Sequence, residues 1–112
     1  MTREEIMAIV PGNELDALVA EKVMGYKITT GSTGEKYLDG FSISKIPSYS
    51  EKISAVWEVV EKFKGKIQII SHKDCYECVI WNGSKVDYLA EGFTAPEAIA
   101  KAALLSVMGV GE

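Results

Sequence analysis

The sequence predicts an α+β fold: helices stacked against a small antiparallel sheet of three or four strands. Three observations carry this expectation. A stretch with apolar residues at helical spacing stops at Gly65 and leads into three short segments that read as strands. The last two of those segments flank Asn82-Gly83, the strongest short hairpin signal, because a primed turn needs positive φ at both central positions. A long apolar segment with a capping signal then follows from Thr94. At 112 residues the chain reads as a single domain, 1–112, able to bury a core without disulfide or metal staples. With 47% hydrophobic and 25% charged residues it has the balance of a globular protein and not of a disordered one.

The elements follow in order. Thr2 and Glu5 form a capping box that opens a short helical turn through Met7, and Pro11-Gly12 ends it. Asn13 is placed to cap a longer helix whose apolar stripe is Leu15, Leu18, Val19 and Val23, with Asp16, Glu21 and Lys22 largely off the stripe. Gly25 stops it. Residues 26–30 alternate weakly as a strand, Gly31-Ser32-Thr33-Gly34 is a loop, and Pro47 argues against regular structure over residues 37–49. Ser50 is expected to cap the next helix, with Ile53, Val56, Trp57, Val60 and Phe63 as its buried stripe and Trp57 packed on the sheet. Strands are expected over residues 67–70, 76–81 and 85–90 as an antiparallel meander. The final helix has Thr94 and Glu97 as a capping box and Pro96 in its first turn, and it runs to Met108 before Gly109.

That helix is nearly apolar all round. Glu97 and Lys101 share one stripe at i and i+4 and can pair there. The rest exceeds the arc that a surface helix needs. The excess predicts a homo-oligomer through this helix, with Ala98, Ala100, Ala102 and Ala103 allowing close approach of a second copy.

Charge sets limits on partners. The net charge of −4 argues against non-specific nucleic-acid binding. Residues 22–66 hold eight lysines and five acids, a local +3, while the rest holds three lysines and Arg3 against eleven acids, a local −7. A mildly basic middle suits an anionic ligand. No uncharged stretch is long enough to span a bilayer, and the N-terminus lacks the pattern of a secretory signal, so a reducing cytoplasm is the expected location.

Catalytic and metal signals are weak. His72, Cys75 and Cys78 are zinc-type ligands, but a structural zinc site wants four in two pairs, so no metal is expected there. Cys75-Tyr76-Glu77-Cys78 lacks the helix N-terminus that activates a redox thiol. His72 is the only histidine, and no nucleophile elbow lies near it. No catalytic residue and no cofactor is assigned. Gly31-Ser32-Thr33-Gly34-Glu35-Lys36 fails the spacing of a Walker loop, yet Lys27, Ser32, Thr33, Lys36 and Tyr37 bring cations, hydroxyls and an aromatic ring to one stretch and form the candidate ligand site.

Three blocks, read together, resemble a known family. They are Glu14-Leu15-Asp16-Ala17-Leu18-Val19-Ala20-Glu21-Lys22-Val23-Met24-Gly25, then Tyr49-Ser50 leading into Ala55-Val56-Trp57-Glu58-Val59-Val60-Glu61-Lys62, and Thr94-Ala95-Pro96-Glu97-Ala98-Ile99 running into Ala102-Ala103-Leu104. The pattern is similar to the phage ABA sandwich domain family, small proteins of phages and prophages, many from Bacillus and its relatives. The resemblance implies helices on both faces of a small antiparallel sheet and brings no catalytic residues with it. It leaves two functional expectations open. One is a non-enzymatic accessory protein that sequesters a nucleotide-type immune signal as a counter-defence sponge. The other is an inhibitor or adaptor that docks on a host protein.

Overall fold

The structure is a computed structural model, and it describes residues 1–40, 42–81 and 87–110. The chain begins with α1 (Arg3–Ala8) and α2 (Asn13–Leu18), which runs on into a π-helical turn (Val19–Val23). Three short strands follow, β1 (Ile28–Thr30), β2 (Lys36–Asp39) and β3 (Ile43–Ser44). Next come α3 (Ile53–Lys62), the strands β4 (Ile67–Ser71), β5 (Tyr76–Trp81) and β6 (Asp87–Gly92), and finally α4 (Ala95–Met108). The α+β class is as expected, but the strands form two antiparallel sheets of three, β1-β2-β3 and β4-β5-β6. The Asn82-Gly83 turn lies outside the described residues. The meander itself is present, with Cys78 opposite both Ile69 and Ala90.

The physical centre is α4. Ten consecutive residues, Pro96 through Leu105, are buried. A helix that is apolar around its whole circumference has to be covered on all sides. Here β5 and β6 cover one side, and α1, α2, the π-helical turn and α3 gather on the rest. The helices therefore stack against the face of the sheet that carries Cys78, Ile80, Tyr88 and Ala90, all buried. On the opposite face Gln68 and Glu91 are exposed, and Val79, Trp81 and Leu89 are half-buried. Among the described helices, α4 alone packs substantially on this sheet. The closest approach is at Gly92, where a Cβ would lie 2.8 Å from the backbone nitrogen of Ala98, so any larger residue would push α4 off β6.

The burial of α4 also removes the reason for expecting a dimer through it. Ala98, Ala100, Ala102 and Ala103 are each 0% exposed within a single chain. Glu97 and Lys101 do pair, at 2.7 Å, but in the interior. Lys101 Nζ also donates to the Met7 carbonyl at 2.8 Å, which ties α1 to α4. Thr94 caps α4 as expected by accepting from Glu97 N, whereas the Glu97 carboxylate accepts from Phe93 N.

Four other expectations are corrected, at Trp57, Ser50, Asp16 and Asn13. Trp57 is 51% exposed and Ile53 53%, because the face of α3 toward the core is set by Val56 and Val59. These positions rotate the stripe away from Trp57, which does not pack on the sheet. Ser50 does not cap α3. The N-cap position is Lys52, and Ser50 is buried, with its hydroxyl accepting from Gly12 N and its N–H donating to Asp16 Oδ1 at 2.7 Å. Asp16 accordingly lies inside and not off the stripe. Asn13 is the first residue of α2 rather than its cap, and its side chain makes paired hydrogen bonds with the backbone of Lys36.

Candidate functional site

The β1–β2 hairpin holds the predicted ligand residues, and strand geometry sorts them. Thr30 pairs with Lys36, Thr29 with Tyr37 and Ile28 with Leu38. Side chains alternate across a strand, so Lys36 and Tyr37 point to opposite faces. The face with Ile28, Lys36 and Leu38 turns toward α2, where the Asn13 amide clamps it. The ammonium of Lys36 donates to Thr30 Oγ1 at 2.9 Å, and the clefts it lines also contain Glu14 and Glu21 on one side and Asp16, Glu35 and Glu51 on the other.

Tyr37 faces the other way. Its ring packs over Gly31, where a Cβ would come within 2.9 Å of the ring and displace it. The Tyr37 hydroxyl donates to Glu35 at 3.3 Å, and the negative charge of Glu35 raises the phenol's pKa above its ordinary value. Ser32 and Thr33 stand exposed in the turn itself. Lys27 lies apart from all of these, at the far end of β1, in a shallow cleft of about 250 Å³ with Tyr26, Leu38, Asp39, Gly40, Ser42 and Ser44. The five residues are thus divided among the hairpin tip, its two faces and its base.

The cleft at the base was not visible in the sequence. It combines a 44% exposed tyrosine ring, an exposed lysine and two exposed serines. Ser42 and Ser44 reach it only because β3 pairs back on β2, with Leu38 opposite Ser44 and Asp39 opposite Ile43. Of its lining residues, only Lys27 was among the ligand residues expected from the sequence.

Around the turn between β4 and β5, His72 N donates to the Cys75 carbonyl at 2.8 Å, and the His72 ring contacts the Glu77 carboxylate. Cys78 is fully buried against α4, and burial pushes its thiol up to about 12. Cys75 is raised as well, first by desolvation and then by Glu91, Glu77 and Asp74. Neither thiol is tuned toward the thiolate that a nucleophile or a metal requires. Among the described residues no cluster of three or more His, Cys, Asp or Glu could hold a metal ion. The buried ionisable groups elsewhere hold elements together. Asp16 fixes Ser50, with its pKa raised chiefly by burial, and Glu97 and Lys101 anchor the start of α4. Tyr49 is fully buried, its hydroxyl has no hydrogen-bond partner among the described residues, and desolvation followed by the charge of Glu58 pushes its pKa up to about 12. No helix among the described residues is long and apolar enough to cross a membrane.

No curated protein matches the sequence. Among solved structures, the fold is similar to that of a phage protein from Bacillus cereus ATCC 14579, with a TM-score of 0.75 and 26% sequence identity over 94% of this chain and 93% of that one. The phage ABA sandwich domain matches residues 17–104, which take in most of the buried core from Ala17 to Leu104, and the chain belongs to that family.

Proposed function

We propose that this protein is a non-enzymatic phage accessory protein that acts in the bacterial cytoplasm by sequestering a nucleotide-type small molecule. The observation that carries this reading is the cleft at the base of the β1–β2–β3 sheet. Tyr26 offers an exposed ring on which a base can stack, Lys27 a cation for a phosphate, and Ser42 and Ser44 hydroxyls for a sugar or a phosphate oxygen. At about 250 Å³ the cleft is smaller than the ~300–1,000 Å³ of ordinary ligand pockets, which suits a mononucleotide held partly in the open. Of the five residues expected from sequence, Lys27 belongs to this site. Ser32, Thr33 and Tyr37 border the same hairpin, and the backbone of Lys36 ties that hairpin to Asn13 of α2.

Thermal-shift and equilibrium binding with a panel of nucleotides test the proposal. A ligand should raise the melting temperature and be recovered unchanged after heat denaturation. A charge-assisted contact is worth about 1.5–3 kcal/mol, so Lys27→Ala should weaken binding roughly ten- to a hundredfold, and Tyr26→Ala should weaken it too. No stabilisation by any nucleotide, or recovery of a chemically altered compound, overturns the reading.

The adaptor reading draws on a separate observation, the half-exposed pair Ile53 and Trp57 one turn apart on α3. An adaptor would capture a host protein and lose it on Trp57→Ala, with no response to nucleotides.

A further inference from the structure

We propose that β4 is a self-association edge. A second copy of this chain pairs with it antiparallel about Ile69, so that the two β4-β5-β6 sheets become one continuous sheet. The two ends of this sheet are not alike. At β6, Arg3 Nη1 donates to the Leu89 carbonyl at 2.7 Å, and α1 sits beside that strand. At β4 the elements that pack substantially are β5 and α4. Natural edge strands are usually guarded by an inward charge, a proline or a bulge. Ile67-Gln68-Ile69-Ile70-Ser71 contains neither a charge nor a proline, and its register with β5 is unbroken from Ile67–Ile80 to Ser71–Tyr76.

The ladder fixes which groups are free. Trp81 N donates to the Lys66 carbonyl and His72 N to the Cys75 carbonyl, so the hydrogen-bonded pairs with β5 fall on the even-numbered residues of β4. The N–H and C=O groups of Ile67, Ile69 and Ser71 therefore point away from β5, toward the open edge. A two-fold axis through Ile69 matches them in reciprocal pairs: Ile69 with Ile69 of the second copy, and Ile67 with its Ser71 in both directions.

Side chains and charges agree with this register. Ile69 lies opposite Cys78, on the face turned toward α4, yet it is 38% exposed, since no described strand stands beyond β4 in the sheet. In the pair it meets its own copy. Antiparallel pairing also brings the end of the strand that carries Lys64 and Lys66 to the other copy's end, where Asp74, Glu77 and Glu91 outnumber Lys73. The second copy is therefore complementary in hydrogen bonding, apolar contact and charge. An interface this narrow belongs to the weak, concentration-dependent class.

Sedimentation of the full chain across the micromolar range tests the idea, and it should show a reversible monomer–dimer equilibrium. Ile69→Pro removes an outward N–H and no bond to β5, so it should leave the circular dichroism intact and weaken the dimer at least tenfold. Charge reversal gives an independent reading if that variant misfolds. Lys64→Asp and Asp74→Lys should each weaken the dimer, and the two combined should restore it. A strictly monomeric protein overturns the proposal. So does a dimer indifferent to Ile69→Pro and to charge reversal, or a monomer that pairs only with a strand from another protein.

Discussion

The two sheets of this protein are both antiparallel and three-stranded, and they are held in opposite ways. In β4-β5-β6 one face is sealed by α4, and Cys78, Ile80 and Ala90 are wholly buried there. In β1-β2-β3 no strand residue is fully buried, Ile28 and Leu38 only touch the core, and the clamp is polar, from the Asn13 amide to Lys36. A sheet held by dispersion and area is rigid but has little room to vary. A sheet held by a few hydrogen bonds can change its residues without unsettling the core, and the candidate ligand cleft lies on the second kind.

The comparison can be broken most forcefully at Lys101. Lys101→Ala leaves the Glu97 carboxylate buried without its cation and removes the tie to Met7, so a loss of about 3–5 kcal/mol is expected by urea unfolding. Replacing the pair together, Glu97→Gln with Lys101→Met, should recover much of that loss, because no charge is then stranded. On the other sheet, Asn13→Ala should cost about 1–2 kcal/mol for the two bonds to Lys36. Its signature is local: hydrogen exchange should speed up at the β1–β2 amides while the amides between β5 and β6 stay protected. Equal loosening of both sheets would show that they are one cooperative unit.

The smallest effect is pH-dependent and lies between the two regions, at Asp16. Its folded pKa is raised above the ordinary 3.8, mainly by burial, so the folded state holds the proton more tightly than the unfolded one. Stability should therefore fall as the pH rises from about the ordinary value through the raised folded one, and stay lower above it. Asp16→Asn keeps an oxygen for Ser50 N and should flatten that part of the profile in melting-temperature measurements. An unchanged slope would mean that the Ser50 hydrogen bonds offset the burial.

What was legible in the sequence follows the same division. Caps, stops and period-two alternation are local signals, so α1, β5 and α4 were placed within a residue or two of their ends. Strands of two to four residues carry too little alternation to register, and β2 and β3 were passed over in a stretch where Pro47 discouraged any assignment. Trp57 was misplaced because side-chain size ranked it as core, whereas the helix's orientation is set by what α4 can accept at Val56 and Val59. Ser50 and Asp16 read as a cap and a surface acid because nothing local shows that they meet across 34 positions of chain. The candidate cleft was hidden for a like reason, since its walls come from β2, β3 and the residues that flank the three strands of the small sheet.

The place of α4 along the chain has a consequence for how the protein is made. It is translated after every other described element, and the sheet, α1, α2 and α3 all find their apolar partner on it. While the ribosome is still upstream of Ala95, Ile6, Leu15, Val56 and Ile80 have been synthesised with no surface to close against. Contacts of such long sequence separation form slowly. The nascent chain should therefore emerge as a loose collection of helices and hairpins, open to chaperones and proteases, and condense in one step once α4 has left the ribosome. A truncation that removes α4 should yield an unfolded chain rather than a smaller domain.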